Sequence, residues 1–198
     1  MTIKIAIIGT MGSGKTTLLS KIGNEFKDRG KSVKIVEEVA RTSPWAINEE
    51  ADFMSQRWVF HQQLLKELEA EYKNPDIILY DRCLIDNLTY FERLYRPHEP
   101  FPISEYLQIF EIVRLWSQKY DHIIRMPLNV DWLKEDGVRS VNVDFAQDID
   151  NIINTFMKEF KLNNVVHYRE NFSISRFCNK IEPKKVKKVT KRKKNDKL

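Results

Sequence analysis

Cysteine is nearly missing from this chain: Cys83 and Cys178 are the only two in 198 residues, far apart and in no C-x-x-C pairing. That argues against a disulfide framework or a thiolate zinc site, and a reducing cytoplasm is the expected setting. The four histidines, His61, His98, His122 and His167, do not fall at metal-ligand spacing. No apolar run approaches the roughly 18 residues of a spanning helix, so no membrane partner is expected. Thr2–Ile8 lacks the basic flank of a signal peptide and runs straight into a glycine loop, so it reads as a buried strand. There is no internal repeat.

A basic excess is missing from the body as well, despite a net charge of +5. The chain has 33 basic and 28 acidic residues, but residues 184–198 hold nine of the basic and one of the acidic ones. The remaining 24 and 27 leave the body net acidic. It does not read as a nucleic-acid-binding surface. The lysine-rich segment 183–198 is expected to be a disordered tail, and nucleic acid is a candidate partner for the tail alone.

What remains is 42% apolar and 11% aromatic, enough for one globular domain over residues 1–182. Strands are expected at Ile3–Ile8, Ser32–Val36, Ile77–Tyr80, His122–Met126 and Asn164–Tyr168. Helical spacing runs through Leu18, Leu19, Ile22 and Phe26 until Gly30, and a long helix is expected from Phe53 to Tyr72, with Trp58, Leu65, Leu68 and Tyr72 on one face. Further helices are expected over Leu84–Tyr95, Ser104–Lys119 and Phe145–Phe160. Short apolar strands alternating with helices predict an α/β three-layer fold with a five-stranded parallel sheet. Ligands should gather at the carboxyl ends of its strands.

Gly9-Thr10-Met11-Gly12-Ser13-Gly14-Lys15-Thr16 fits G-x-x-x-x-G-K-[ST] in full. Glycines let successive N–H groups curl inward into an anion nest at a helix N-terminus. Lys15 is then expected on the β- and γ-phosphates of ATP, the Thr16 hydroxyl on Mg²⁺, and Thr17 near the α-phosphate. The loop follows an apolar strand and opens a periodic helix, which is the context the motif requires.

Three acidic segments bear on the reaction. Asp81-Arg82 ends the third strand, where the carboxylate can organise Mg²⁺ and the guanidinium can neutralise charge on a transferring phosphoryl group. Glu37-Glu38-Val39-Ala40-Arg41 follows the second strand; one glutamate is a candidate general base and Arg41 a substrate or phosphate contact. Asp136-Gly137-Val138-Arg139 is read as a small lid bringing Arg139 onto the phosphates.

With these residues in place, the chain resembles the P-loop nucleoside and nucleotide kinases over roughly residues 3–182. It is most similar to the NadR-like kinases and ATPases, whose NadR members carry a ribosylnicotinamide kinase domain. The segments that carry the resemblance are GTMGSGKT at 9–16, EEVAR at 37–41, YDRCLIDNLTYF at 80–91 and DGVRSVNVDF at 136–145. The same segments resemble deoxynucleoside kinases and thymidylate kinase-like proteins. The deoxynucleoside kinase pattern implies Glu37 as base, with Glu38 standing where that family has proline and Cys83 where it has serine. The NadR-like pattern implies Glu38 instead, and both stay open. The resemblance further implies that Gln56, Trp58 and Gln62 face an acceptor pocket, and that Arg176 lies in the adenine-contacting loop.

The expected function is transfer of the γ-phosphoryl group of ATP·Mg²⁺ to a nucleoside, nucleotide or nicotinamide riboside-like acceptor. The alternatives are a regulatory ATPase and a kinase of nucleic-acid 5′ ends. A GTPase reading rests on Asn179-Lys180-Ile181-Glu182, which ends in the wrong acid. The acceptor and the oligomeric state stay open, a homodimer among the options.

Overall fold

In the β-strands, alternate side chains take opposite faces, and here both faces are apolar. Ala6, Ile8, Ile78, Tyr80 and Ile123 pack into one core, while Ile5, Ile7, Ile77, Leu79 and Ile124 pack into another. A sheet buried on both sides must be covered twice. The computed structural model, which describes residues 1–95, 102–132 and 142–182, has that arrangement. Strands β1 (Ile3–Ile8), β2 (Val33–Val36), β3 (Ile77–Asp81), β4 (His122–Arg125) and β5 (Val165–His167) form one parallel sheet in the order β2-β3-β1-β4-β5.

Helices α1 (Lys15–Asp28) and α6 (Ile174–Ile181) supply the second core, through Leu18, Leu19, Ile22, Phe26 and Phe177. The first core takes α2 (Phe53–Tyr72), α3 (Leu84–Tyr95), α4 (Ile103–Ser117) and α5 (Val143–Glu159). The expected elements are all present, with ends displaced by a residue or two. The predicted lid and the tail lie outside the described residues.

The apolar face expected on the long helix is present and looks outward. Leu65, Leu68 and Tyr72 do share a face of α2, but it points outward, with 48%, 46% and 93% of their surfaces exposed. The buried face is Ser55, Gln56, Val59, Phe60, Gln63, Glu67 and Ala70. Its polar members have partners or a cavity to line, so amphipathic periodicity alone gives the wrong phase.

Two features of the sheet position the site. Register pairs Ile7 with Asp81 and Ile8 with Arg125, so the carboxyl ends of β1, β3 and β4 finish together. Strand β1 sits between β3 and β4, where successive crossovers diverge, and its loop opens into the crevice this creates.

Candidate active site

The chain leaves β1 at Gly9 with φ of 151°, and a Cβ there would lie 3.0 Å from both Cβ and the carbonyl oxygen of Met126. Gly14, at φ 80°, caps α1 in the left-handed region, so the first-turn N–H groups of α1 face the loop. Thr10, Met11, Ser13 and Lys15 are buried around it. Lys15 Nζ donates to the Thr10 carbonyl oxygen and, at 3.2 Å, to Ser13 Oγ. Burial, followed by repulsion from Arg82, lowers the Lys15 amine to about 7.

Thr16 Oγ1 donates to Asp81 Oδ2 at 2.6 Å. The second Asp81 oxygen, Oδ1, is buried and has no hydrogen-bond partner among the described residues. A buried half-used carboxylate beside a threonine hydroxyl is a hard-oxygen set of the kind Mg²⁺ takes when phosphates supply the other ligands. Thr16 and Asp81 therefore fit the ion.

Beyond Asp81 the backbone makes a tight left-handed step at Arg82, φ 72°, a costly conformation for a long side chain. It is held by contacts on either side: Arg82 N donates to the Ile7 carbonyl at 3.2 Å, and Cys83 N to Asp86 Oδ2 at 3.1 Å. Asp86 Oδ1 takes the Gly9 N–H at 3.1 Å, so one buried carboxylate ties the phosphate loop to this turn. Burial raises the Asp86 carboxyl despite Arg82 and Lys15 nearby. The turn aims the Arg82 side chain at Glu38, Nε to Oε1 at 2.5 Å, with Tyr90 Oη 3.2 Å from Nη1. Glu38 Oε2 also takes Arg41 Nε at 3.1 Å. Burial alone would raise the Glu38 carboxyl, but Arg82, Lys15 and Arg41 hold it at about 2.

Two cavities meet at Glu38, Arg82 and Met11. The larger, about 520 Å³, runs along residues 11–18 to an apolar end formed by Trp132, Tyr168, Phe172 and Ile174. The smaller, about 30 Å³, is walled by Ala40, Arg41, Ile47, Asn48, Gln56, Val59, Asn87 and Tyr90. An Asp52–Ser55 capping box starts α2 and presents Gln56 to this slot. Asn87 joins it from the first turns of α3, and its buried Nδ2 has no hydrogen-bond partner among the described residues.

Of the residues expected from sequence, Gly12, Ser13, Gly14, Lys15, Thr16 and Thr17 line the large cavity, and Met11, Glu38 and Arg82 line both. Arg41 and Gln56 line the slot. Glu37 is exposed and lines neither cavity. Trp58 packs edge-on against Trp45, and Gln62 is half-buried away from both cavities. Six positions separate Gln56 from Gln62, which at about 3.6 residues per turn turns them to different faces. Arg176 is exposed on α6, and it is Tyr168, Phe172 and Ile174 before it that reach the cavity. Arg139 lies outside the described residues. Sequence reasoning missed Asp86, Asn87 and Tyr90, although all three stand within nine residues of Asp81. It also missed the aromatic end, which comes from separate loops.

A family model described as an AAA domain matches residues 4–173. No curated protein matches. Among solved structures, deoxyadenosine kinase from M. mycoides with bound dATP has a TM-score of 0.65 at 18% identity, covering 90% of this chain and 98% of that one. The same enzyme with products dCMP and a flexible dCDP has 0.64 at 17%, covering 90% and 96%. With bound dCTP it has 0.60 at 17%, covering 90% and 98%. At such identity the likeness is one of fold.

Proposed function

Because the chain belongs to the AAA-domain family of P-loop NTPases, we propose that it is a kinase that moves the γ-phosphoryl group of ATP onto a hydroxyl of a nucleoside-type acceptor. The observation that carries this reading is the junction of the two cavities. The phosphate loop opens into one, a slot whose wall carries the buried carboxamides of Gln56 and Asn87 opens beside it, and Glu38 and Arg82 stand in the wall they share. A hydrolase needs only the first.

In the proposed reaction the loop N–H groups and Lys15 hold the triphosphate, whose charge favours the protonated amine that burial disfavours. Thr16 and Asp81 hold Mg²⁺, which when bound neutralises charge on the β- and γ-phosphates. Glu38 orients the acceptor hydroxyl and receives its proton as oxygen bonds to the γ-phosphorus. The bond from that phosphorus to the bridging oxygen breaks, and ADP leaves. Arg82 answers the charge spread over the phosphoryl oxygens; Arg139 and Arg41 are candidates for further contacts, and Arg176, exposed and lining neither cavity, has no role in this account. Glu37, Trp58 and Gln62 stand off both cavities and take no part in this account.

Gln56 and Asn87 support a nucleoside over a simple alcohol. Both are buried in the slot, and each offers a donor and an acceptor to the edge of a base or to a nicotinamide-like amide. The slot is far smaller than ordinary ligand pockets of about 300 Å³ or more. Acceptor binding therefore requires the short helical turns Ala40–Thr42 and Asn48–Glu50 in its wall to draw back. The test is ATP consumption with mass detection of products over nucleosides, nicotinamide riboside, nucleoside monophosphates and 5′-hydroxyl oligonucleotides. Phosphate gained by one acceptor, mole for mole with ATP, supports the proposal. Hydrolysis without any phosphorylated acceptor points to a regulatory ATPase.

A further inference from the structure

Glu67 lies fully buried on α2, about three turns beyond Gln56, and lines neither cavity. Its carboxylate takes Gln63 Nε2 at 3.0 Å on Oε1 and Trp116 Nε1 at 2.7 Å on Oε2. Tyr120 Oη reaches both oxygens, at 3.1 and 2.9 Å. Among the described residues no cation pairs with it, and burial pushes its carboxyl up to about 7 against those three donors. Such a group is expensive to bury, and an apolar side chain of similar size would fill the site at less cost. Packing alone does not account for it.

Two of its donors lead to the same place. Gln63 Nε2 also points at the carbonyl oxygen of Arg82, 3.5 Å away, at the long limit of a hydrogen bond. Tyr120 Oη also receives the backbone N–H of Leu84 at 3.4 Å. The left-handed residue Arg82 is thus braced through its carbonyl and, two residues on, through an amide, by side chains that Glu67 fixes. Trp116 anchors the same carboxylate to α4.

We propose that Glu67 is a positioning residue for Arg82: through Gln63 and Tyr120 it holds the strained turn that keeps the guanidinium between Glu38 and the phosphate loop. The proposal rests on the reading of Arg82 as a contact of the transferring phosphoryl group. Glu67 touches neither substrate. It sets where Arg82 stands when the γ-phosphate arrives, a matter of fractions of an ångström to which transfer rates are sensitive.

The experiment uses the full chain as wild type, Glu67→Gln, Tyr120→Phe and Arg82→Ala, with Glu67→Gln and Tyr120→Phe each also combined with Arg82→Ala. Steady-state kinetics is joined to NMR of the Arg82 Nε–H, a signal set by its bond to Glu38. Glu67→Gln and Tyr120→Phe are expected to lower kcat by on the order of tenfold to a hundredfold, leave the Kd for ATP unchanged, and move the Arg82 signal. In the Arg82→Ala background they should cost nothing further. An unmoved signal with unchanged kcat in a folded variant overturns the proposal, as does a loss that adds fully to that of Arg82→Ala. If Glu67→Gln does not fold, Tyr120→Phe decides alone. If Arg82→Ala keeps the wild-type rate, it is the role of Arg82 that has failed, and the NMR signal still decides whether Glu67 positions it.

Discussion

Arg82 Nε stands 2.5 Å from Glu38 Oε1, so the arginine assigned to the phosphoryl group is engaged by the carboxylate assigned to the acceptor. Against the upward push of burial, Arg82 with Lys15 and Arg41 holds Glu38 at about 2, where a carboxylate is a poor proton acceptor. On this account phosphates bound beside Lys15 should compete with Glu38 for the Arg82 guanidinium where it stands, and a weaker pair should return basicity to Glu38. Glu38→Gln is expected to lower kcat by roughly 10² to 10⁴. Glu37→Gln, at an exposed position, should stay within about twofold of wild type. Steady-state rates of the two variants check this; equal losses would return the base assignment to the pair.

Lys15 predicts a proton count. With its amine lowered to about 7 without ligand, Lys15 is mostly neutral at pH 8, and the triphosphate should restore its charge. ATP binding at pH 8 is then expected to take up nearly one proton through this group, and Lys15→Met should abolish that uptake. Calorimetry in buffers of different ionisation enthalpy measures it. The same shift has a stability consequence with a definite sign. Below about 7 the amine is charged in both folded and unfolded chains and the burial cost is fully felt; as pH rises from 7 toward 10.5 the unfolded chain holds the extra proton, and stability from this group increases. Lys15→Met should therefore stabilise the fold more at pH 6 than at pH 10 while removing activity.

The half-used Asp81 carboxylate predicts a metal phenotype. Asp81→Asn keeps an oxygen for Thr16 but loses the charge for Mg²⁺. It should raise the Mg²⁺ concentration needed for half-maximal rate by on the order of tenfold or more. Chelation of the metal should stop the wild-type reaction, with recovery on adding Mg²⁺ back.

Gln56 and Asn87 should appear in acceptor affinity and not in ATP affinity. Asn87→Ala or Gln56→Leu is expected to raise the acceptor KM by roughly tenfold to a hundredfold, the cost of about 1–3 kcal/mol for an unmet polar contact. The ATP Kd, read by calorimetry, should not move.

The phosphate loop and the parallel sheet were legible because both are written locally. Gly9–Thr16 is one contiguous motif, and the strands are short apolar runs between breakers. Asp81 and Arg82 were legible as the end of such a run. Less local features were not. Nothing in two adjacent glutamates says which side of the backbone faces the crevice, and Glu38 is chosen by Arg82, 44 residues on. The periodicity of Leu84, Leu88 and Phe91 marks α3 as a core helix and hides Asp86 and Asn87 on the same element. On α2 the apolar residues Leu65 and Leu68 face outward because the inward face carries Gln56 to the slot and Glu67 to Trp116 and Tyr120. Trp132, Tyr168 and Phe172 meet only because the loops after β4 and β5 end at the same edge of the sheet.

The central claim is that the two cavities joined at Glu38 and Arg82 carry one phosphoryl transfer. Product mass analysis during ATP turnover, in wild type and Glu38→Gln, tests it most directly. The account predicts an acceptor from the nucleoside panel gaining one phosphate for each ATP consumed, with the gain lost in Glu38→Gln. ADP and inorganic phosphate appearing at the same rate with and without every acceptor, and unchanged in Glu38→Gln, would contradict it.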